Sequence, residues 1–415
     1  MKRFLAILLV AAMALTMVSV AVAEEKQTLT IWIPQYQFSK AEDAISDIDF
    51  WNSQFEEFRV TYNCEVNIEI LPWGDYNTTI FTGLQNNDGP DVVYVTDTYD
   101  LVSNDLLLGL DSYLTEEEID NYLLWDNAPL NSNKEHCTIP MNDGAVLMFY
   151  NKSILAEAGV EVPETWEEFL VACRTIVEKT DKQAFLQNWG ATTGTSALMT
   201  SFWPFYFQAG GVMLDENGEI DINNEAGLKT LEFIKSLYDE GIFDESITAE
   251  TAAQDKFGEG TLAFYCGGDS TGMNSAAQNG IDYGYILSLK GPGGLGTRSA
   301  CDSYGVSAKT VERGTDKLAV EALKLIVSGK VEDAFHQYIY YLPRFTKDAQ
   351  YVKDPELDKL YTDYAYALKI VAEFEGKPSF EKELQSNVQL MFMGDLTPQQ
   401  VLDETMSYYQ DQIKQ

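Results

Sequence analysis

Two histidines, His136 and His336, serve all 415 residues, and only 28 basic side chains stand against 65 acidic ones. So little histidine excludes a multi-histidine metal centre and gives histidine-dependent catalysis few candidates. So little positive charge, a formal net −37, excludes phosphate-rich partners and anionic membrane surfaces, because a surface this negative repels both. Cysteine is sparse as well. Cys64, Cys137, Cys173, Cys266 and Cys301 are scattered with no C-x-x-C pair and no metal-ligand spacing, and they read mainly as small buried hydrophobes. After residue 23 no run is apolar enough to span a bilayer, and there is neither an internal repeat nor a low-complexity linker. What is present in quantity is core material, 45% hydrophobic and 12% aromatic. The charge is therefore no sign of disorder, and the length fits two or three domains.

The first 23 residues read as an export signal. Lys2 and Arg3 precede an apolar run from Phe4 to Val22 that closes on Ala21-Val22-Ala23 before Glu24-Glu25, the layout of a cleavable secretory peptide. No cysteine stands near this exit to carry a lipid, so the expectation is an exported chain without a lipid anchor.

Along the remaining chain the rhythm is α/β. Thr28 to Ile33 is β-branched and aromatic and stops at Pro34; Val66 to Leu71 alternates and breaks at Pro72-Trp73-Gly74; Asp91-Val92-Val93-Tyr94-Val95 is a continuous apolar run of the kind buried on both faces in a parallel sheet. Helical stretches fall between them, to about Phe58 and over Tyr76 to Gln85. Thr165 with Glu168 forms a capping box before Phe169, Ala172, Cys173 and Ile176 recur at helical spacing. Asn223-Asn224 opens another helix, with Gly241 placed to close it, and Thr261 to Cys266 reads as a strand.

Several segments, in order, resemble the carbohydrate-type extracellular solute-binding proteins of family 1, the receptors of ABC importers related to maltodextrin-binding protein. They are Leu29 to Ile33, Asn86 to Val93 around Gly89-Pro90-Asp91, Leu107 to Leu114, Ile139-Pro140, Tyr150-Asn151-Lys152 followed by Pro163 to Phe169, Gln208 to Gly211, Phe257 to Gly260, Gly291 to Gly294 and Gly394 to Pro398. The resemblance implies a two-lobed α/β fold of the type II periplasmic-binding-protein class, with a ligand cleft between lobes joined by hinge crossovers. By that pattern the first lobe comprises residues 24–139 and 286–328 and the second 140–285 and 329–415, with crossings near Ile139, Ile286 and Gly329. It implies a monomer that captures a sugar or oligosaccharide and hands it to membrane permease subunits, with no catalysis, metal or cofactor.

Sugar recognition needs flat aromatics for the apolar face of a pyranose and planar polar groups for its hydroxyls. Loops after strands offer Gln35, Tyr36, Trp73, Asp97 and Tyr99; the crossover offers Asn142 and Asp143; the second half offers Trp203, Phe205, Asp269, Tyr304 and Arg344. For the aromatics the competing role is core packing, and for the carboxylates a solvated face. Where members that bind glucose oligomers commonly place a Trp, this chain has Asp269, which favours hydroxyls or a cationic group over ring stacking. The enzymatic alternative is a secreted serine hydrolase, since Gly268-Asp269-Ser270-Thr271-Gly272 fits G-x-S-x-G after a strand, with His336 as base and Asp354 or Asp363 as its orienting acid.

Overall fold

The computed structural model describes residues 26–36, 38, 44–74, 76–96, 98–142, 145–187, 189–190, 197–215, 219–243, 253–267, 275–299, 302–339, 344–350 and 355–414. Its strands, in chain order, are β1 (Thr28–Pro34), β2 (Glu65–Leu71), β3 (Val92–Val95), β4 (Thr138–Asn142), β5 (Leu147–Asn151), β6 (Gln183–Phe185), β7 (Leu262–Gly267), β8 (Tyr283–Ile286), β9 (Lys290–Gly291), β10 (Gly294–Leu295), β11 (Thr297–Ser299), β12 (Asp302–Val306) and β13 (Leu368–Ile370). They form one five-stranded sheet, β2-β1-β3-β12-β4, one four-stranded sheet, β6-β7-β5-β8, and the small pairs β9–β10 and β11–β13.

In the first sheet β1, β2 and β3 run parallel and β12 runs against both β3 and β4. Every residue of β3 is buried, as its unbroken apolar run requires of a central strand covered on both faces. Asp91, just before it, is a clamp. Its carboxylate accepts from Thr30 N–H at 2.8 Å and from the Thr315 hydroxyl at 2.9 Å, and lies 3.0 Å from Arg313 Nη2. The Gly89-Pro90-Asp91 segment thus ties β3 to β1 and to the start of helix Asp316–Ile326. Gly89 itself is obligatory, since a Cβ there would come within 1.9 Å of Gly83 O.

The second sheet is held by the helices that the capping signals announce. Asn151 accepts from Ser153 and Ile154 N–H and so starts helix Lys152–Ala158. Thr165 and Glu168 form the reciprocal capping box of helix Trp166–Lys179. Trp166 then stacks on Phe233 at 4.2 Å and donates its indole N–H to Gln208 Oε1 at 2.6 Å, which packs this helix against helices Glu225–Asp239 and Trp203–Gln208. Asn224 caps the former, and Gly241 at φ +68° ends it. The C-terminal helices Lys377–Met393 and Pro398–Tyr408 close on the same side: Trp203 Nε1 donates to Glu381 Oε1 at 3.1 Å, and Asn223 Nδ2 to Asp403 Oδ1 at 2.8 Å.

The chain passes between the two sheets at three places, the second and third lying further along the chain than expected. The first lies between Asn142 and Leu147, just beyond Ile139. The second is not near Ile286. There β8 is still paired with β5, Lys290 N–H donates to Glu164 O, and Gly293 N–H donates to Gln208 O, so the chain leaves the second sheet only between Ser299 and Asp302. The third is not near Gly329 either. Helix Gly329–His336 sends Phe335 against Tyr36 (4.9 Å) and Phe38 (5.4 Å), and Thr346 bridges to Tyr122, so 329–339 and 344–350 pack with the first sheet. Near the crossings Val146 N–H donates to Arg298 O, Ala145 pairs with Ser299, and β13 runs parallel beside β11. These non-local pairings are what local sequence patterns do not carry.

Candidate ligand-binding cleft

Open sheets present binding groups where their parallel strands end. In the first sheet β1, β2, β3 and β4 end, and antiparallel β12 begins, on one edge. That edge carries Gln35 and Tyr36, Trp73, Thr96, Thr98 and Tyr99, Asn142 and Asp302. In the second sheet β6, β7 and β8 end beside the start of β5, because Leu147 pairs with Gly267. Since β4 runs into β5 within a few residues, the two edges meet at the crossing.

A cavity of about 270 Å³ lies there. Thr96, Thr98, Asp302 and Ser303 contribute from the first edge, Arg298 and Ser299 from β11, Ile370 to Glu373 from the end of β13 onward, and Lys377 from the first turn of helix Lys377–Met393. Beneath Asp302 sits an aromatic layer. The Tyr94 hydroxyl donates to Asp302 Oδ2 at 2.6 Å, the Tyr76 hydroxyl donates to Tyr94 O at 2.9 Å, and the Tyr94 ring stands 5.2 Å from Tyr304 and 6.0 Å from both Tyr36 and Trp73. Burial raises the Asp302 carboxyl above its ordinary value, while the Tyr94 hydrogen bond and the positive charges of Arg298 and Lys377 oppose that rise. Burial also pushes the Tyr36, Tyr76, Tyr94 and Tyr304 phenols up, so all four stay protonated donors at neutral pH.

Of the residues singled out from sequence, several reach this edge. Trp73 is 46% exposed, with its indole N–H on Gln35 O at 2.8 Å and one ring edge against Tyr94. Gln35 is exposed beside it, and Tyr36 is half-buried, its ring edge-on to Tyr94 and Phe335. Tyr99 opens helix Tyr99–Ser103 and is half-buried. For Asn142 only the strand position is described, and Asp97, Asp143, Asp269 and Ser270 lie outside the described residues.

Others are corrected. Trp203 is fully buried and Phe205 nearly so; Phe205 meets Trp166 and Phe233 edge-on, so both are core of the second sheet's helical layer. Tyr304 is likewise wholly buried and belongs to the layer beneath the cavity, not to its wall. Arg344 turns to Ala349 O and toward Asp358 and does not line the cavity. His336 is buried in the first lobe against Phe345. The sequence reading missed Arg298, Glu373 and Lys377. Arg298 offered one signal, a lone cation inside the short polar run Thr297-Arg298-Ser299 of an acidic chain.

A fold of two α/β lobes with a cleft at their crossings is that of the type II periplasmic binding proteins. The profile of the bacterial extracellular solute-binding proteins matches residues 44–331, more than half of the chain, and the chain belongs to that family. The GacH receptor of Streptomyces glaucescens superposes with a TM-score of 0.76 at 20% identity, covering 94% of this chain and 99% of that one. The maltodextrin-binding domain of Bdellovibrio bacteriovorus gives 0.72 at 19%, covering 94% and 100%. In sequence, the arabinooligosaccharide-binding protein of Halalkalibacterium halodurans is 27% identical over 206 residues, 47% of this chain and 42% of that protein. The match therefore spans less than half of that relative. Diacetylchitobiose binding protein DasA of Streptomyces coelicolor is 25% identical over 327 residues, 74% and 70%. These matches favour a binding role over the hydrolase alternative. No described helix is long and apolar enough to cross a membrane.

Proposed function

We propose that this chain is the exported receptor of an ABC importer, a monomer that captures a sugar or oligosaccharide between its lobes and delivers it to membrane permease subunits without chemically altering it. The observation that carries this reading is the cavity at the crossings, walled by strand ends of one lobe, by hinge strand β11 and by Glu373 and Lys377. Its mixture of hydroxyls, carboxylates and cations suits a polyhydroxylated ligand, and the exposed ring of Trp73, on the same sheet edge and packed on the Tyr94 that backs Asp302, suits the apolar side of a sugar ring. The lobes of this reading are residues 26–142 with 302–350, and 145–299 with 371–414. Closure about the crossings would bring both sets of contacts onto one ligand, which is how binding favours the closed state.

A thermal-shift screen against sugars, oligosaccharides and polyols tests it. A ligand at ~100 times its dissociation constant adds about 2.7 kcal/mol of stability, a readable rise in melting temperature. If a peptide or a metal ion shifts the transition and no carbohydrate does, the reading fails.

A further inference from the structure

The cavity holds four charged side chains, and three have partners. Lys377 pairs with Glu373 one turn away, and Asp302 accepts the Tyr94 hydroxyl. Arg298 is the fourth. Among the described residues its guanidinium makes no hydrogen bond and no ion pair, although it is half-buried and lines the cavity. Its backbone is fixed on both sides: Arg298 O accepts from Val146 N–H, and the residue lies in register with Lys369 of β13. The hinge itself therefore delivers this side chain to the cleft and holds it there.

A half-buried guanidinium has lost part of its hydration, and although Asp302 feels its charge, no described acceptor takes its N–H groups in a hydrogen bond. Its donors form a rigid planar fork, and the group that matches such a fork is a planar acceptor binding through two oxygens. A carboxylate fits better than a phosphate. Asp302 and Glu373 share the cavity, and their proximity disfavours a dianion more than a monoanion. Long-range charge adds to this reasoning: a chain at net −37 repels anions, so an anionic ligand requires a fixed local cation such as this one.

Building on the carbohydrate reading above, we infer that the ligand is an acidic sugar, a uronic acid or an oligosaccharide with a uronate at the end nearest the hinge, whose carboxylate pairs with Arg298. Asp302, the Tyr94-backed acceptor, and the hydroxyls of Thr96 and Ser303 then serve the ring hydroxyls.

Calorimetric titration of the full exported chain tests this with matched pairs: D-galacturonate and its dimer against D-galactose and galactobiose, and D-glucuronate against D-glucose and glucose 1-phosphate. The acidic member of at least one pair binds tenfold or more tighter than its neutral parent. Arg298→Gln loses at least tenfold for that uronate and leaves the neutral sugar within threefold. Arg298→Lys, which keeps charge without the fork, falls between. Because the guanidinium has no described partner, Arg298→Gln also leaves the melting temperature of the ligand-free protein unchanged or higher, whereas a structural arginine would lower it. A neutral sugar or glucose 1-phosphate binding as tightly as the uronate overturns the inference and leaves the sugar reading standing, as does a preference that survives Arg298→Gln. Failure of every carbohydrate, acidic or neutral, overturns both together.

Discussion

Replacing Asp91 tests why an acid follows Gly89-Pro90. The carboxylate is 4% exposed and receives two neutral donors, Thr30 N–H and the Thr315 hydroxyl, besides facing Arg313. Asp91→Ala leaves those two donors without an acceptor, at about 1–3 kcal/mol each when buried. Arg313 loses less, because it also donates to the carbonyls of Asn87, Gly89 and Pro90 and keeps some exposure. The expected cost is about 4 kcal/mol, in the range for breaking a buried pair by removing one partner. Asp91→Asn keeps one acceptor oxygen but turns an amide toward the remaining donor, and its cost is about 2 kcal/mol. Urea unfolding followed by tryptophan fluorescence measures both. Asp91 sits in the first sheet, so if the two lobes melt in separate transitions it is the one of the first sheet that should move. With a slope of about 1–3 kcal/mol per molar urea, its midpoint drops by more than 1 M in Asp91→Ala. Sugar affinity of the folded protein stays as in the wild type. If Asp91→Ala costs under 1 kcal/mol, or weakens sugar binding without moving that transition, the clamp described above is wrong.

Other outcomes follow from the same contacts. Glu332, fully buried, accepts from Phe345 N–H, Thr346 N–H and the Thr346 hydroxyl, and burial pushes its carboxyl up to about 7. Between the ordinary glutamate value and that one the native state binds the extra proton, so its contribution is complete at acid pH and lost as pH rises toward and through 7. First-lobe stability should fall between pH 5 and 8, and Glu332→Gln should flatten the slope; an unchanged slope in urea melts assigns it to another group. Trp73→Ala, at a largely exposed side chain, should weaken sugar binding tenfold or more with little change in melting temperature, and equal affinity by calorimetry removes Trp73 from the site. Trp203→Ala should do the reverse, destabilising the second lobe by about 3–5 kcal/mol, while Trp203→Phe keeps full affinity. Thr165→Ala should cost about 1 kcal/mol through the lost cap, read by thermal melting.

The parts of the fold that were legible are those encoded locally. Thr165 and Glu168 stand three residues apart and cap as their spacing implies; helix Tyr76–Gln85 and strand Val92–Val95 fall where their patterns place them. The family-like segments turned out to be largely architectural, Asp91 a clamp, Asn151 a cap and Trp166 a packing ring, which is why they identify the fold and say little of the ligand. The second and third crossings lie further along the chain than expected because β12 enters the first sheet between β3 and β4, and β11 meets β13 some seventy residues onward; neither pairing leaves a local trace. Trp203 and Phe205 share a helix in which every residue is buried, so an aromatic cluster in sequence gave no sign of which face a ligand would see. Arg298 went unseen because its importance comes from being left unpaired in a cavity, a property of the assembled lobes and not of its neighbours in the chain.

The central claim is that a carbohydrate sits in the cavity at the crossings. Calorimetry on the wild-type protein and on Thr96→Trp, which fills that cavity from the first lobe's edge, addresses it directly. One sugar bound per chain by the wild type, with binding abolished in a Thr96→Trp protein that melts normally, is the predicted result. A Thr96→Trp protein that still binds the same sugar with unchanged affinity contradicts it.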